Sequence, residues 1–330
     1  MKHPSIDRVR RLLTGGLIPA VPVPRRADLT LDVKAHEAYA TYLAQQNIAG
    51  VAVWAHTGRG LHLRSDERAY ILHSWRKALS SDRLIIAGVG AAKEEDSSHI
   101  NLEEPWLEQC LAVAQEAISW GADALMIHPP LIYQVLPELE GNQAIYDYHC
   151  KLAALGTPLV LFYLYPEAGG ILYPPALLDR LLSIPEVVGI KMASLDRVMA
   201  LQDISSHILH YHADKLLITG EDRMFGYSWM RGASSALVGM GAAYPNIQSD
   251  LIEAYQMKDY ARFMELNRRV EGYAEVVFTQ PMDKYITRML WCLVIAGVIP
   301  EHTAFDIIDY SMSKEEIDAL RQAIHTYEIY

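Results

Sequence analysis

Val187-Val188-Gly189-Ile190-Lys191, continued by Met192-Ala193-Ser194, decides the reading of this chain. Four apolar residues lead straight into a lysine. β-Branched residues fit a pleated strand, and an apolar run without polar alternation suits a strand covered on both faces, as in a parallel sheet. Lysine is rarely buried unless it is paired or used. At the end of a buried strand it is partly desolvated, which disfavours the ammonium and supplies a free amine near neutral pH. A free amine attacks carbonyls and forms a Schiff base. Read alone, the pentapeptide fits a strand-end lysine reaching solvent better than it fits a nucleophile. The rest of the chain changes that balance.

Outward from this stretch, strand-like and helix-like segments alternate. Strands are expected at 17–24, 50–54, 84–89, 124–127, 159–162, 187–190, 215–219 and 236–238. Helices are expected at 33–46, 66–79 (with Ser65 as N-cap), 104–120, 143–155, 174–182, 195–204, 223–231 and 246–257. Such alternation implies right-handed βαβ units and a parallel sheet. Eight units suit an α/β fold of the closed (β/α)8 TIM-barrel type. No G-x-G-x-x-G follows the first strand, which weakens a dinucleotide-binding alternative. Helices at 259–277, 282–298 and 314–326 then form a C-terminal helical lobe. The expected division is 1–257 for the barrel and its site and 258–330 for the appended helices.

Composition sets the outer limits. The chain has 330 residues, 51% hydrophobic and 21% charged, with a net charge of -11 and no basic cluster. That argues against nucleic acid and anionic membrane surfaces as partners and leaves room for a small anionic substrate. Cys110, Cys150 and Cys292 are odd in number and widely spaced, so neither a disulfide framework nor a zinc site is expected. Residues 1–16 lack the apolar core of a signal peptide, and the apolar run 289–300 is too short to span a bilayer. A cytoplasmic location is the expectation.

In such a barrel, chemistry collects at the C-terminal ends of the strands. His56-Thr57-Gly58-Arg59 follows the second strand, His128-Pro129-Pro130 the fourth, and Tyr163-Leu164-Tyr165-Pro166 the fifth. Lys191 ends the sixth strand and Gly220-Glu221-Asp222 the seventh. Tyr163 is placed to shuttle protons for carbinolamine formation and breakdown. Thr57 and the N–H groups of Thr57 and Gly58 can hold the carboxylate of a 2-oxo acid. His56 offers a second acid/base group, and Arg59, if it points inward, an anion partner. Blander readings stand beside these: Tyr163 as a core aromatic, Asp222 as a helix cap, Glu221 as a solvated carboxylate, and His128 as a shaped turn. With no H-x-H or H-x-x-E pattern at the strand ends, no catalytic metal and no cofactor are expected.

With these residues in place, the chain resembles the dihydrodipicolinate synthase / N-acetylneuraminate lyase superfamily of Schiff-base aldolases. Val188-Gly189-Ile190-Lys191 with Ala193-Ser194 looks like its lysine motif, and Phe162-Tyr163-Leu164-Tyr165-Pro166 like its tyrosine motif. His56-Thr57-Gly58-Arg59 stands in place of its carboxylate-binding loop. Gly220-Glu221-Asp222 resembles the segment that contacts substrate hydroxyls in the sugar-acid lyases. The resemblance implies Lys191 as Schiff-base residue, Tyr163 as proton shuttle, and His56, Thr57, Gly58, Arg59, Gly220 and Asp222 as substrate-binding residues. It also implies a homodimer or homotetramer. His56 and Arg59 depart from the loop pattern, and Gly239 stands where a serine is usual. The semialdehyde-gripping arginine falls at Ala168 and the interface tyrosine at Leu131, so both are missing. Lysine biosynthesis is therefore not expected. The reading is a lyase, aldolase or dehydratase, on pyruvate, another 2-oxo acid or a deoxy sugar acid, its second substrate half acidic or hydroxylated. The rivals are an inactive barrel that binds a 2-oxo acid as a sensor, and a metal-dependent barrel aldolase.

Overall fold

Eight short strands pair side by side, all parallel, in the order β1-β8-β7-β6-β5-β4-β3-β2. They are β1 (Leu17–Pro19), β2 (Gly50–Val53), β3 (Leu84–Val89), β4 (Ala124–Ile127), β5 (Leu159–Leu164), β6 (Val187–Ala193), β7 (Leu216–Thr219) and β8 (Ser235–Val238). The computed structural model describes residues 6–90, 105–308 and 310–330. A bridge between Ala20 and Ala52 joins β1 to β2, so the sheet curls into a (β/α)8 barrel. β1 is shorter than the expected 17–24 because Pro19, Pro22 and Pro24 lack the N–H a ladder needs.

The helices are α1 (Ile6–Leu13), α2 (Val33–Ala44), α3 (Ser65–Ala78), α4 (Pro105–Ser119), α5 (Glu138–Ala153) and α6 (Pro175–Leu182). They continue with α7 (Val198–Tyr211), α8 (Phe225–Met230), α9 (Asn246–Gln256), α10 (Tyr260–Val277), α11 (Tyr285–Ile295) and α12 (Lys314–Thr326). Among the described residues no helix is long and apolar enough to cross a membrane. Ser65 is the first helical residue of α3 and not its cap: its hydroxyl donates to Glu116 (2.6 Å), while the Glu67 carboxylate accepts the Arg64 N–H (3.2 Å). Glu104, the expected start of the next helix, lies outside the described residues.

The core has two layers. Inside the barrel, Ile18, Ile86, Met126, Val160, Phe162, Leu164, Val188 and Leu237 interdigitate. Outside it, the alternate strand residues pack on the helices. α1, which the Arg-rich N-terminus concealed, adds Val9 and Leu13 to the inner layer. The i, i+4 spacing puts both on one helix face, and each buried side chain contributes about 1.5–3 kcal/mol of transfer free energy. Arg8, on the flank of that face, pairs with Asp123 at 2.9 Å.

One irregularity governs the site. Leu159 pairs with Val187, but Val160 pairs with Gly189 and Phe162 with Lys191. β6 thus holds one extra residue, a bulge at Val188-Gly189. An uninterrupted ladder would have set Tyr163 opposite Lys191.

Candidate active site

Lys191 points into the barrel mouth and is 6% exposed. Its Nζ lies 4.3 Å from the centroid of the Phe162 ring. Gly220 makes room for it: a Cβ there would stand 2.6 Å from Lys191 Cε and 2.7 Å from the Met192 carbonyl oxygen. Burial pushes the ammonium down to about 8, against the opposing pull of Asp222 and Glu221. Burial pushes the Asp222 carboxyl up to about 7. Two carboxyls and one amine thus share one small space, and burial moves all three toward neutrality.

Asp222 does not cap α8; its Oδ1 accepts the Met240 N–H at 2.7 Å, tying the end of β7 to the segment after β8. Glu221 is buried, not solvated. Its Oε1 accepts from Ser194 N (2.6 Å) and Ser194 Oγ (2.7 Å), and its Oε2 from Leu195 N (3.1 Å). It thereby fixes the turn that follows Lys191. Burial raises its carboxyl to about 7 despite these donors.

Tyr163 is not in this cavity. Successive strand side chains face opposite ways, and with Phe162 and Leu164 inward, Tyr163 faces the helices, its ring edge-on to Tyr173 at 6.0 Å. The bulge is the physical cause. Gly189, a glycine inside an apolar strand, is the signal that could have announced it.

A different tyrosine takes the place. Tyr285, at the start of α11, lines the Lys191 cavity and shares a 2.9 Å hydrogen bond with Thr57 Oγ1. Its ring stacks between His56 and Phe278, at centroid distances of 6.2 and 4.8 Å. Burial raises its hydroxyl well above the usual phenol range. Tyr165, the second tyrosine of the motif, also lines the cavity. Gly239 gives Tyr285 and Thr57 their space: a Cβ there would stand 3.0 Å from the Tyr285 ring and 3.4 Å from Thr57 Oγ1.

The loop after β2 divides its residues. Thr57 and His56 line the Lys191 cavity; Gly58 lies beneath it, its N–H donating to the Ala55 carbonyl (3.0 Å) to close the turn. Arg59 turns to the C-terminal lobe. Its Nε donates to both oxygens of Asp306 (3.1 Å each), and its Nη1 to Asp283 (3.3 Å). His56 Nε2 is 3.1 Å from the other Asp283 oxygen. The His56 contact and Arg59 hold the Asp283 carboxyl down at about 2. These pairs hold Arg59 in a left-handed conformation (φ 51°) that costs a non-glycine residue about 1–3 kcal/mol.

Two cavities meet at this point. The smaller, about 60 Å3, holds Lys191, Thr57, Asp222 and Tyr285. The larger, about 400 Å3, opens beyond Phe162, Leu164 and His56, which line both. Asp179, His207 and His212 form a separate cluster whose ligand atoms lie within 4.8 Å of one another and could hold a divalent ion. It sits on α6 and at the end of α7, which leads into the N-terminal end of β7, so it faces away from the strand ends that carry Lys191.

A family model of the dihydrodipicolinate synthetase family matches residues 13–306. The chain belongs to that family. It is a divergent member of it. An uncharacterized DapA-like lyase of Chloroflexus aurantiacus is 25% identical over 315 residues, 93% of this chain and 95% of the relative. A 4-hydroxy-tetrahydrodipicolinate synthase of Anaplasma marginale is 26% identical over 326 residues, 94% and 98% of the two chains. Among solved structures, the E. coli K12 prophage protein YagE, crystallised with pyruvate, superposes with a TM-score of 0.81 at 19% identity, covering 97% of this chain and all of YagE. The family relatives that this chain matches over most of its length include a DapA-like lyase and a 4-hydroxy-tetrahydrodipicolinate synthase.

Proposed function

We propose that the protein is a Schiff-base lyase acting on pyruvate or a substituted 2-oxo acid. The observation that carries this reading is Lys191, a desolvated amine at a barrel strand end with its approach kept open by Gly220. The amine attacks the ketone carbon, water leaves, and an iminium forms. The iminium withdraws electrons from C3, so C3 loses a proton or a carbon substituent to give the enamine. The enamine C3 then takes up a proton or an aldehyde carbon, which restores the iminium, and water returns the 2-oxo acid and frees Lys191. Thr57 holds the carboxylate through its backbone N–H. The Thr57–Tyr285 hydroxyl pair and Asp222 carry the protons, the role expected of Tyr163. Ala168 and Leu131 leave the semialdehyde of lysine biosynthesis without its cation and its second tyrosine, so the reaction differs from that of the synthases.

Borohydride trapping with pyruvate, read by intact mass and peptide mapping, tests this reading. The expected result is a reduced adduct on Lys191, absent in Lys191→Ala. Trapping elsewhere, or none with any of a panel of 2-oxo acids, overturns it and favours a barrel that binds without turnover.

A further inference from the structure

The larger cavity sits where the second half of a substrate attached to Lys191 has to extend. Pyruvate occupies three carbons, and the small cavity around Lys191 has room for little more. A substituent on C3 passes Phe162 and enters the space of about 400 Å3, a volume typical of a small-molecule site. Its walls are the side chains of Trp54, Trp106, Met126, Leu131, Ile132 and Val135.

The charged side chains that touch this space are already paired, and among the described residues the polar groups left over are few, among them the Trp54 indole N–H, the His62 ring and the His128 ring. Arg59 is held by Asp306 and Asp283, and His56 by Asp283. His128 is pushed down to about 4 by burial and so is neutral. The positions where an acid-reading arginine and tyrosine were expected, Ala168 and Leu131, both line this cavity. Among the described lining residues Arg59 is already paired, and burial disfavours the cationic form of His62 as it does of His128, so little charge is left for a carboxylate or phosphate. A sugar-like chain carries several hydroxyls, and each left without a partner here costs about 1–3 kcal/mol. A carboxylate costs more. Flat apolar groups gain from burial and from edge or face contact with the two indoles and Phe162.

We propose that this cavity is the subsite for an uncharged aromatic aldehyde, as acceptor in the forward direction and leaving group in reverse; the inference rests on the lyase reading. This corrects the expectation of an acidic or hydroxylated second half. In the forward direction the Lys191-bound pyruvate loses a C3 proton, and the enamine C3 bonds to the aldehyde carbon. The aldehyde π pair becomes an alkoxide that takes up a proton, and water releases a 4-aryl-4-hydroxy-2-oxobutanoate. Cleavage runs the same steps backwards, with no redox partner.

The test is aldol synthesis with pyruvate, products read by mass, using benzaldehyde and 2-naphthaldehyde against D-erythrose and succinic semialdehyde. The aromatic aldehydes should exceed the others at least tenfold in kcat/KM. Leu131→Arg should invert the order by lowering the aromatic rates tenfold and raising the rate for succinic semialdehyde. A Lys191 adduct with preference for erythrose or the semialdehyde overturns the cavity inference while leaving the lyase reading intact. If pyruvate leaves no adduct, the lyase reading falls and the cavity is tested by tryptophan quenching. Saturable binding of 2-naphthol, at least tenfold tighter in the wild type than in Leu131→Arg, upholds its apolar class; none overturns it.

Discussion

Replacing Tyr285 by Phe removes one oxygen from the Lys191 cavity and leaves the ring between His56 and Phe278. Two effects follow from the 2.9 Å contact with Thr57. The Thr57 hydroxyl loses its partner, which costs about 1–3 kcal/mol of stability. At this chain length that lowers the melting temperature by only a few degrees, about 2–4 °C per kcal/mol. The second effect is on rate. A positioned proton carrier contributes about 10²–10⁴-fold, so a loss of at least about a hundredfold, 2.7 kcal/mol in barrier, is expected. The assay needs no second substrate: exchange of the pyruvate methyl protons in D2O, followed by NMR, requires the iminium and the enamine and nothing later. Tyr163→Phe is the comparison. Its hydroxyl lies on the helix side of β5, so exchange should stay within about threefold of wild type. If Tyr163→Phe loses a hundredfold and Tyr285→Phe does not, the assignment of the proton carrier, and the bulge argument beneath it, is wrong.

Exchange should rise with pH and level off near 8, where Lys191 titrates, not near the 10.5 of a solvated lysine; a rise continuing past pH 9 would contradict the desolvated amine. Lys191→Met should raise the melting temperature at pH 7: the ammonium titrates lower in the folded than in the unfolded chain, so it opposes folding increasingly as pH falls from 10.5 and fully below about pH 8, by about 3 kcal/mol at 1.36 kcal/mol per unit. A lower melting temperature would count against this. Arg59→Met leaves Asp306 buried without its cation and should cost about 3–5 kcal/mol in chemical denaturation. Adding Asp306→Asn should restore much of that, and strict additivity of the two losses would deny the coupling.

The barrel was legible because its signal is repeated: eight apolar runs, each followed by a turn and an amphipathic stretch, leave few other architectures. Lys191 was legible because a charge at the end of such a run is anomalous. Tyr163 misled for a local reason. Its distance from Lys191 in sequence fits a straight ladder, and one bulge residue reverses which side chains face the barrel mouth. Tyr285 was hidden for a non-local reason, since it stands 228 residues from Thr57 in a helix whose apolar pattern reads only as packing. Glu221 looked like a surface carboxylate because its partners are two backbone N–H groups and one hydroxyl, which leave no mark in sequence.

The C-terminal segment therefore does more than cover the barrel. Asp283, Tyr285 and Asp306 reach back to His56, Thr57 and Arg59, so the loop after β2 is paired side chain by side chain with a segment more than two hundred residues away. This pairing has a chemical consequence. A histidine and an arginine in this loop suggest an anionic substrate, yet both side chains are already held by Asp283 and Asp306 before any ligand arrives. What remains for the ligand is the Thr57 end of the loop on one side and an apolar wall on the other. On the proposed lyase reading, a single carboxylate then fits beside Lys191, and the part of the molecule that extends past Phe162 has to be one that gives up little on leaving water.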